Sequence, residues 1–549
     1  MLRAAFLSAL ALLGGATQPA MAQAREAVDA TAAADLSVTV YRDPNRGEGD
    51  QMNTRWPRGF AMISETRTVT LPTGESTVRF EGVAEGMVAV SAIVTGLPQG
   101  TIEKNRNADL LSPGALVDGT LGNRITITRT NPATGQAKSE SAIVRTRADG
   151  GLVLQTSQGF EAVRCSGLPE KLTFPNVPTG LSAKPVFSIN TRDDTGGTYQ
   201  VVLTYLAWGF DWQAHYVATL QEGKRGEELR MNLMSWLTIL NDNGQSFEDA
   251  DLMAVAGAIN IESDFQGLSN PPTASPLRLT CFPIGSTAAG SPYAVPPPPP
   301  APMQVPVARE LAEMSGDAIM VTASRRSELG KAAPAMIASE ENLGDLKLYR
   351  IPLPVTVASK GLKQVAFLNK QDVKGDYLYT TSCDPWGSEY YDSDLDEEAP
   401  SIAASMLLTT VNDKEHGLGV ALPMGGITIF EPSSYGDQLV GEQQLRDYAS
   451  GQDVEIELGQ SSQVYAACSR TTEAEFDDEP RKFAKMQTVM TNANPDPVNV
   501  RLDLGWSSDW EIKGLRRTRV KDGKHVAEFT IPANGTRKIK WKIRSIDAD

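Results

Sequence analysis

Short runs of alternating apolar and polar residues dominate this chain. Residues 65–71 (ETRTVTL), 76–82 (STVRFEG), 124–130 (RITITRT) and 199–206 (YQVVLTYL) are rich in Val, Ile, Thr and aromatics. Gly, Pro, Asn or Asp flank them, as they flank half-buried antiparallel strands. Segments of helical period are scarce, and only 307–314 (VARELAEM) and 440–449 read as short helices. One pattern recurs three times, as TVTLPTGESTVRFEG (68–82), PVTVASKGLKQVAFL (354–368) and EFTIPANGTRKIKWKI (528–543). Each reads as a strand, a turn carrying Gly74, Gly361 or Gly535, and a second alternating strand. The glycines are expected to take the positive φ of a tight turn. Pro72 and Pro532 end the first strand, because proline cannot donate to a ladder. The pattern predicts a mostly β protein of several antiparallel β-sandwiches rather than an α/β nucleotide fold.

Composition changes sharply over 264–342. Residues 296–300 are five prolines, followed by Pro302 and Pro306, which favours an extended polyproline tether of about 3.1 Å per residue. The expected organisation is a signal segment (1–22), an N-terminal β domain (36–185), and a central β domain (190–262 plus 343–470). A proline-rich, partly disordered insertion (264–342) interrupts the central domain, and a C-terminal β-sandwich portion (480–547) follows. The chain has 549 residues and 41% hydrophobic residues, enough for two or three cores. With 51 Lys and Arg against 67 Asp and Glu the formal charge is −16, which argues against nucleic acid as the main partner.

The first 22 residues carry a secretory pattern. Arg3 is the positive flank, Ala4 to Leu13 is a short apolar run, and Ala20-Met21-Ala22 is a small-x-small cleavage site. A periplasmic location follows, with no transmembrane span after cleavage. Four cysteines remain, Cys165, Cys281, Cys383 and Cys468. An exported protein permits disulfides among them in three pairings. Spacing does not choose, but Cys383 and Cys468 each follow a strand-like run, which favours that pair. No C-x-x-C is present, so neither structural zinc nor a thioredoxin-type centre is expected.

Two stretches, Tyr205 to Tyr216 (YLAWGFDWQAHY) and 417–430 (GLGVALPMGGITIF), resemble the mucoidy-inhibitor-A-like family of bacterial proteins. So do Gly244, Phe247, Asp249 and Leu252 in NGQSFEDADL, and Leu439, Gly441 and Glu442 in QLVGEQQ. Asp453, Val454, Leu458 and Gly459 in QDVEIELG extend the likeness, as does the terminal hairpin with Pro532 and Gly535. It covers about 190–262 and 343–545. Residues 36–185 resemble the N-terminal β region of shorter, alphaproteobacterial-type members. The family's C-terminal domain has no established activity, so the resemblance implies no catalytic residues.

Chemistry-bearing motifs are sparse. G-x-S-x-G, P-loop, H-E-x-x-H and G-x-G-x-x-G patterns are absent, and no cofactor is implied. The three histidines, His215, His416 and His525, lie far apart in the chain, and a triad normally needs one beside a nucleophile. Asp392, Asp394 and Asp396 have oxygen-ligand spacing for calcium, but the sixth and twelfth loop positions are Glu397 and Ala403, so an EF-hand is not matched. The aromatic group Tyr205, Trp208, Phe210, Trp212 and Tyr216 reads mainly as core, with Trp208 and Trp212 as candidate carbohydrate contacts.

Asp317 to Arg326 (DAIMVTASRR) stands out. Ile319, Met320, Val321 and Thr322 form a strand, closed by Arg325 and Arg326, after the proline tether. The segment resembles the TonB box of outer-membrane receptors, a short extended segment that adds to a partner's sheet. That implies an envelope-protein partner docked by β-augmentation. The sequence therefore points to an exported cell-envelope protein that binds or scaffolds. The alternative is a hydrolase acting on envelope glycans through paired carboxylates.

Overall fold

The computed structural model describes residues 25–107, 110–131, 133–148, 152–163, 170–178, 180–221, 229–257, 259–277, 337–385, 399–471 and 482–546. The expected signal segment, the helix at 307–314, the docking segment with Ile319 to Arg326, the acidic run with Asp392, Asp394 and Asp396, and the cysteines Cys165 and Cys281 lie outside these residues. The fold is mostly β, about 62% strand and 3% helix, in large multi-strand sheets that do not close into a barrel.

The spine is one 24-residue strand, Gly197–Leu220. Its core-facing apolar side chains are Val201, Leu203, Tyr205 and Ala207 in the first half, then Phe210, Trp212, Ala214, Tyr216, Ala218 and Leu220 in the second. The switch from odd to even positions occurs at Gly209, where φ is +89° and the register shifts between Trp208 and Phe210. One extra residue in a strand moves every later side chain to the other face, so this bulge turns the strand from one core into the next. Asn243 holds the bulge. Its Nδ2 donates to the Trp208 carbonyl (3.0 Å) and its Oδ1 accepts from Gly86 N (2.6 Å).

The first half of the spine pairs with Gly59–Leu71 and Met87–Thr95. Its inward face packs on a second sheet in the order Glu26–Asp29, Gly74–Glu81, Val186–Asp193, Glu103–Arg106. Val69, Leu71, Val78, Phe80, Phe187 and Ile189 lie in the core that includes Val201 and Leu203. Pairing thus runs across residues 185–190 without a break. A five-stranded antiparallel sheet between Arg124 and Thr173 has its own core of Val117, Ile125, Ile127, Val144, Leu152 and Leu154. The second half of the spine pairs with Leu229–Asn241 and, in parallel, with Gly425–Ser433.

A second long strand, Gly361–Ser382, carries the fold into a C-terminal sandwich. Residues 361–375 pair with Leu229–Asn241, and 376–382 pair with Ile402–Val411 and Val498–Trp506. Met486, Leu502, Trp510, Trp541 and Ile543 fill this core, and Cys383 and Cys468 form a disulfide within it (Cα–Cα 5.8 Å).

Two of the three repeated hairpins, at 354–368 and 528–543, share a closing device. Asn492 Nδ2 donates to the Asp496 and Pro532 carbonyls, its Oδ1 accepts from Asn494 N, and Asn534 N donates to the Asn494 carbonyl. Asn241, Asn243, Gln245, Ala358 and Lys360 repeat the same bonds. The positive φ falls on Lys360 (48°) and Asn534 (45°), not on Gly361 and Gly535 as expected. Those two glycines serve clearance instead: an ideal Cβ on Gly535 would lie 2.6 Å from Pro532 Cγ. Gly74 does carry the positive φ.

The expected helix at 440–449 is instead part of a strand, Gly436–Leu445, and an extended tail. Antiparallel pairing to Gly425–Ser433 overrides the local helical propensity of GEQQLR. Gly425 itself sets a strict limit, because a Cβ there would sit 1.9 Å from the Ala214 carbonyl oxygen. Gly425→Ala is expected to lower stability by about 1–3 kcal/mol or more, read from the denaturant midpoint.

Candidate functional site

The segment YLAWGFDWQAHY turns Asp211, Gln213 and His215 to one face of the spine, opposite the core side chains Phe210, Trp212, Ala214 and Tyr216. At one end of that outer face the loop after Ala34–Tyr41 closes over a buried clamp. Asp211 and Arg46 form an ion pair with both side chains almost fully buried. Arg46 Nη1 donates to the Trp212 carbonyl (2.9 Å), and Asp211 Oδ1 accepts from Trp212 N and Asp43 N. Burial pushes the Asp211 carboxyl up, and the Arg46 charge opposes it. Nearby, Arg42 makes a two-pronged contact with Asp447, whose Oδ1 also accepts from Met424 N (2.9 Å). Burial raises the Asp447 carboxyl, but the hydrogen bond and charge of Arg42 outweigh it and hold it below the usual range. The two clamps fasten the loop after Ala34–Tyr41 to the spine and to the segment following Gly436–Leu445.

Further along the same face Gln213 is still buried, and the surface opens at His215. In register across it stand His215 opposite Trp236, Gln213 opposite Thr238, and Val217 opposite Met234. On the other side His215 lies beside Gly426, and Gly426 faces Gln444. Gly426 leaves room: an ideal Cβ there would be 3.5 Å from His215 Cε1 and 3.3 Å from Gln444 Nε2. Gln213 Nε2 donates to Gln444 Oε1 (3.4 Å), and Gln213 Oε1 accepts from Met52 N (2.5 Å). Gln364 Nε2 donates to Thr238 Oγ1 (3.3 Å). Among the described residues no hydrogen bond holds the His215 ring. Trp236 is 37% exposed and Met234 42%. The result is a partly exposed indole set among amides, hydroxyls and one imidazole.

The aromatic residues singled out in the sequence divide differently from expectation. Trp212 is a core residue, 1% exposed, with its indole N–H donating to the Val255 carbonyl (3.1 Å) and its ring edge-on to Tyr349. It has no face left for a sugar. Trp208 does not share a face with Phe210 and Trp212, because the Gly209 bulge intervenes, and it stands half-buried opposite Phe60. Tyr205, Phe210 and Tyr216 are core, and Tyr216 Oη donates to the Pro423 carbonyl (2.7 Å).

His416 Nδ1 bonds Asp413 Oδ1 (2.8 Å), and His525 Nε2 bonds the Trp510 carbonyl (2.9 Å). Among the described residues no three His, Cys, Asp or Glu side chains gather to hold a metal.

A glycan hydrolase needs two available acids about 5 to 10 Å apart. Asp211 and Asp447 are each committed to a guanidinium. A further buried carboxylate, Glu65, sits on the inward face of Gly59–Leu71 beside Arg67, which bonds both Glu65 and the Thr31 carbonyl. Burial raises the Glu65 carboxyl, with Arg67 opposing. Glu65 and Arg67 occupy inward strand positions, in phase with Val69 and Leu71.

Trp236 was also not anticipated. Its signal lies in LRMNLMSWLTILN, where Arg230, Asn232, Met234, Trp236 and Thr238 alternate with buried Leu and Met. A tryptophan on the polar phase is the exception that marks a surface. No protein-family model and no curated protein matches the chain.

Proposed function

We propose that this chain is an exported cell-envelope protein that works by binding, and that the Trp236 face takes a neutral glycan. The observation that carries this reading is the open indole of Trp236 flanked in register by His215, Gln213, Thr238 and Gln444. Aromatic rings present an apolar plate to the C–H face of a pyranose, and side-chain amides offer both a donor and an acceptor to its hydroxyls. The neighbouring carboxylates Asp211 and Asp447 are tied to arginines, which favours recognition over turnover. The N-terminal apolar run and the cystine support an oxidising compartment. In the same reading, Ile319 to Arg326 docks as a strand on an envelope partner, in keeping with its resemblance to the TonB box.

The test is calorimetric titration with oligosaccharides released from bacterial envelopes. Trp236→Ala is expected to weaken binding at least about tenfold while leaving the far-ultraviolet spectrum unchanged. Unchanged affinity removes the site. Separately, deleting 317–326 is expected to remove an envelope protein from the co-purifying set, and an unchanged set discards the docking strand.

A further inference from the structure

The last strand, Gly535–Ser545, reads GTRKIKWKIRS. Its alternation buries Trp541 and Ile543 and turns Lys538, Lys540 and Lys542 outward in one row, with Arg544 continuing the phase. Lysines of the neighbouring strands stand beside the row. Lys542 is directly opposite Lys485 on Ala484–Asn492, and on its other side it is opposite Lys513 on Trp510–Lys513. Like charges facing each other across strands are unfavourable. Here two such pairs share one residue.

Glu511 serves Lys513 (3.0 Å) and Arg544. Among the described residues no carboxylate lies within ion-pair distance of Lys538, Lys540 or Lys542. Residues 482–546 hold 14 Lys and Arg against 6 Asp and Glu, a charge of +8, which leaves −24 on the rest of the chain. In a net acidic protein, Lys538, Lys540 and Lys542 thus form an exposed row, with Lys485 and Lys513 opposite its end.

We infer that this face is a docking surface for an anionic lipid bilayer. The cations lie in two dimensions, about 6.6 to 6.8 Å apart along the strand and about 4.8 Å between strands. That spread matches a plane of charged headgroups better than one polymer threaded through a groove. Lysines predominate, as suits diffuse attraction to a charged surface, whereas paired guanidiniums are the usual fork for a single phosphate. The acidic remainder does not prevent approach, because at physiological salt a charge acts over only about 8 Å. It instead orients the molecule, with this face alone turned to the membrane. The inference stands apart from the Trp236 face.

The test uses the full chain and sedimentation with phosphatidylcholine vesicles, with and without phosphatidylglycerol. Binding is expected only with phosphatidylglycerol, and is expected to be lost near about 1 M salt, where screening shortens to about 3 Å. Lys538→Glu/Lys540→Glu/Lys542→Glu is expected to weaken it about 100-fold or more, since each surface lysine contributes roughly a factor of five to ten. The Gln triple variant is expected to fall between, and glycan titration of all three proteins is expected to coincide. Equal vesicle binding by the Glu variant overturns the inference. So does retention on a soluble polyanion such as heparin with no vesicle binding. Absence of any binding overturns it too.

Discussion

Removal of the Cys383–Cys468 bond is expected to cost the C-terminal sandwich more than any single change elsewhere. Cys383 follows the strand Gly361–Ser382, and Cys468 lies in Asp453–Arg470, 85 residues later. A cross-link of that span restricts the unfolded chain by about 4–5 kcal/mol on the chain-entropy model. The bond sits within a packed core: Cys383 is fully buried, and Thr488 Oγ1 lies 3.4 Å from its sulfur while accepting from Trp541 Nε1 (3.0 Å). Cys383→Ala/Cys468→Ala, or reduction under non-denaturing conditions, is therefore expected to lower the unfolding temperature of the transition that reports Trp510 and Trp541. Near-ultraviolet circular dichroism during heating reads this directly. An unchanged transition would show that the bond contributes nothing to this core.

The second large effect belongs to Asp211. Asp211→Ala leaves the Arg46 guanidinium buried without its counter-charge, and breaking one side of a buried pair costs about 3–5 kcal/mol. Removing both charges is expected to cost much less, because two buried apolar side chains need no partner. Denaturant unfolding of Asp211→Ala, Arg46→Met and Asp211→Leu/Arg46→Met forms the cycle. If the double variant is as unstable as the worse single one, the clamp does not act as an ion pair. The loop carrying Asp43 and Met52 is expected to loosen in the single variants, since Asp211 accepts from Asp43 N and Gln213 accepts from Met52 N.

The β architecture was legible because side-chain alternation is written residue by residue. ETRTVTL, RITITRT and YQVVLTYL all lie within strands, the first and last extended well beyond the runs that announced them. What alternation does not state is where its phase resets. Gly209 resets it within a single strand, and the resulting exchange of faces separated Trp208 from Phe210 and Trp212. The segment 440–449 failed as a helix for a different reason: its strand is held by pairing to residues near 430, a non-local term that a window of ten residues does not contain. The hairpin glycines were located correctly, but at 361 and 535 the strained dihedral belongs to the preceding residue.

The proposed binding face was the least legible part. Its members come from four strands spread between residues 213 and 444, and only register brings Gln213, His215, Trp236 and Gln444 together. The sequence offered one local sign, the tryptophan on the polar phase of MNLMSWLT. The buried partners were hidden for the complementary reason. Asp211, Glu65 and Arg67 read as surface charges until the opposing sheet or loop is placed over them.

The central claim is recognition at the outer face around Trp236. A photoreactive amino acid replacing Met234, two residues from Trp236 on the same face, tests it in the native envelope, with the same group at exposed Phe160 as the control. The account predicts a saccharide-bearing adduct at position 234, suppressed by Trp236→Ala and absent at position 160. A clean position 234 would contradict it, as would a captured glycan recovered as cleaved product.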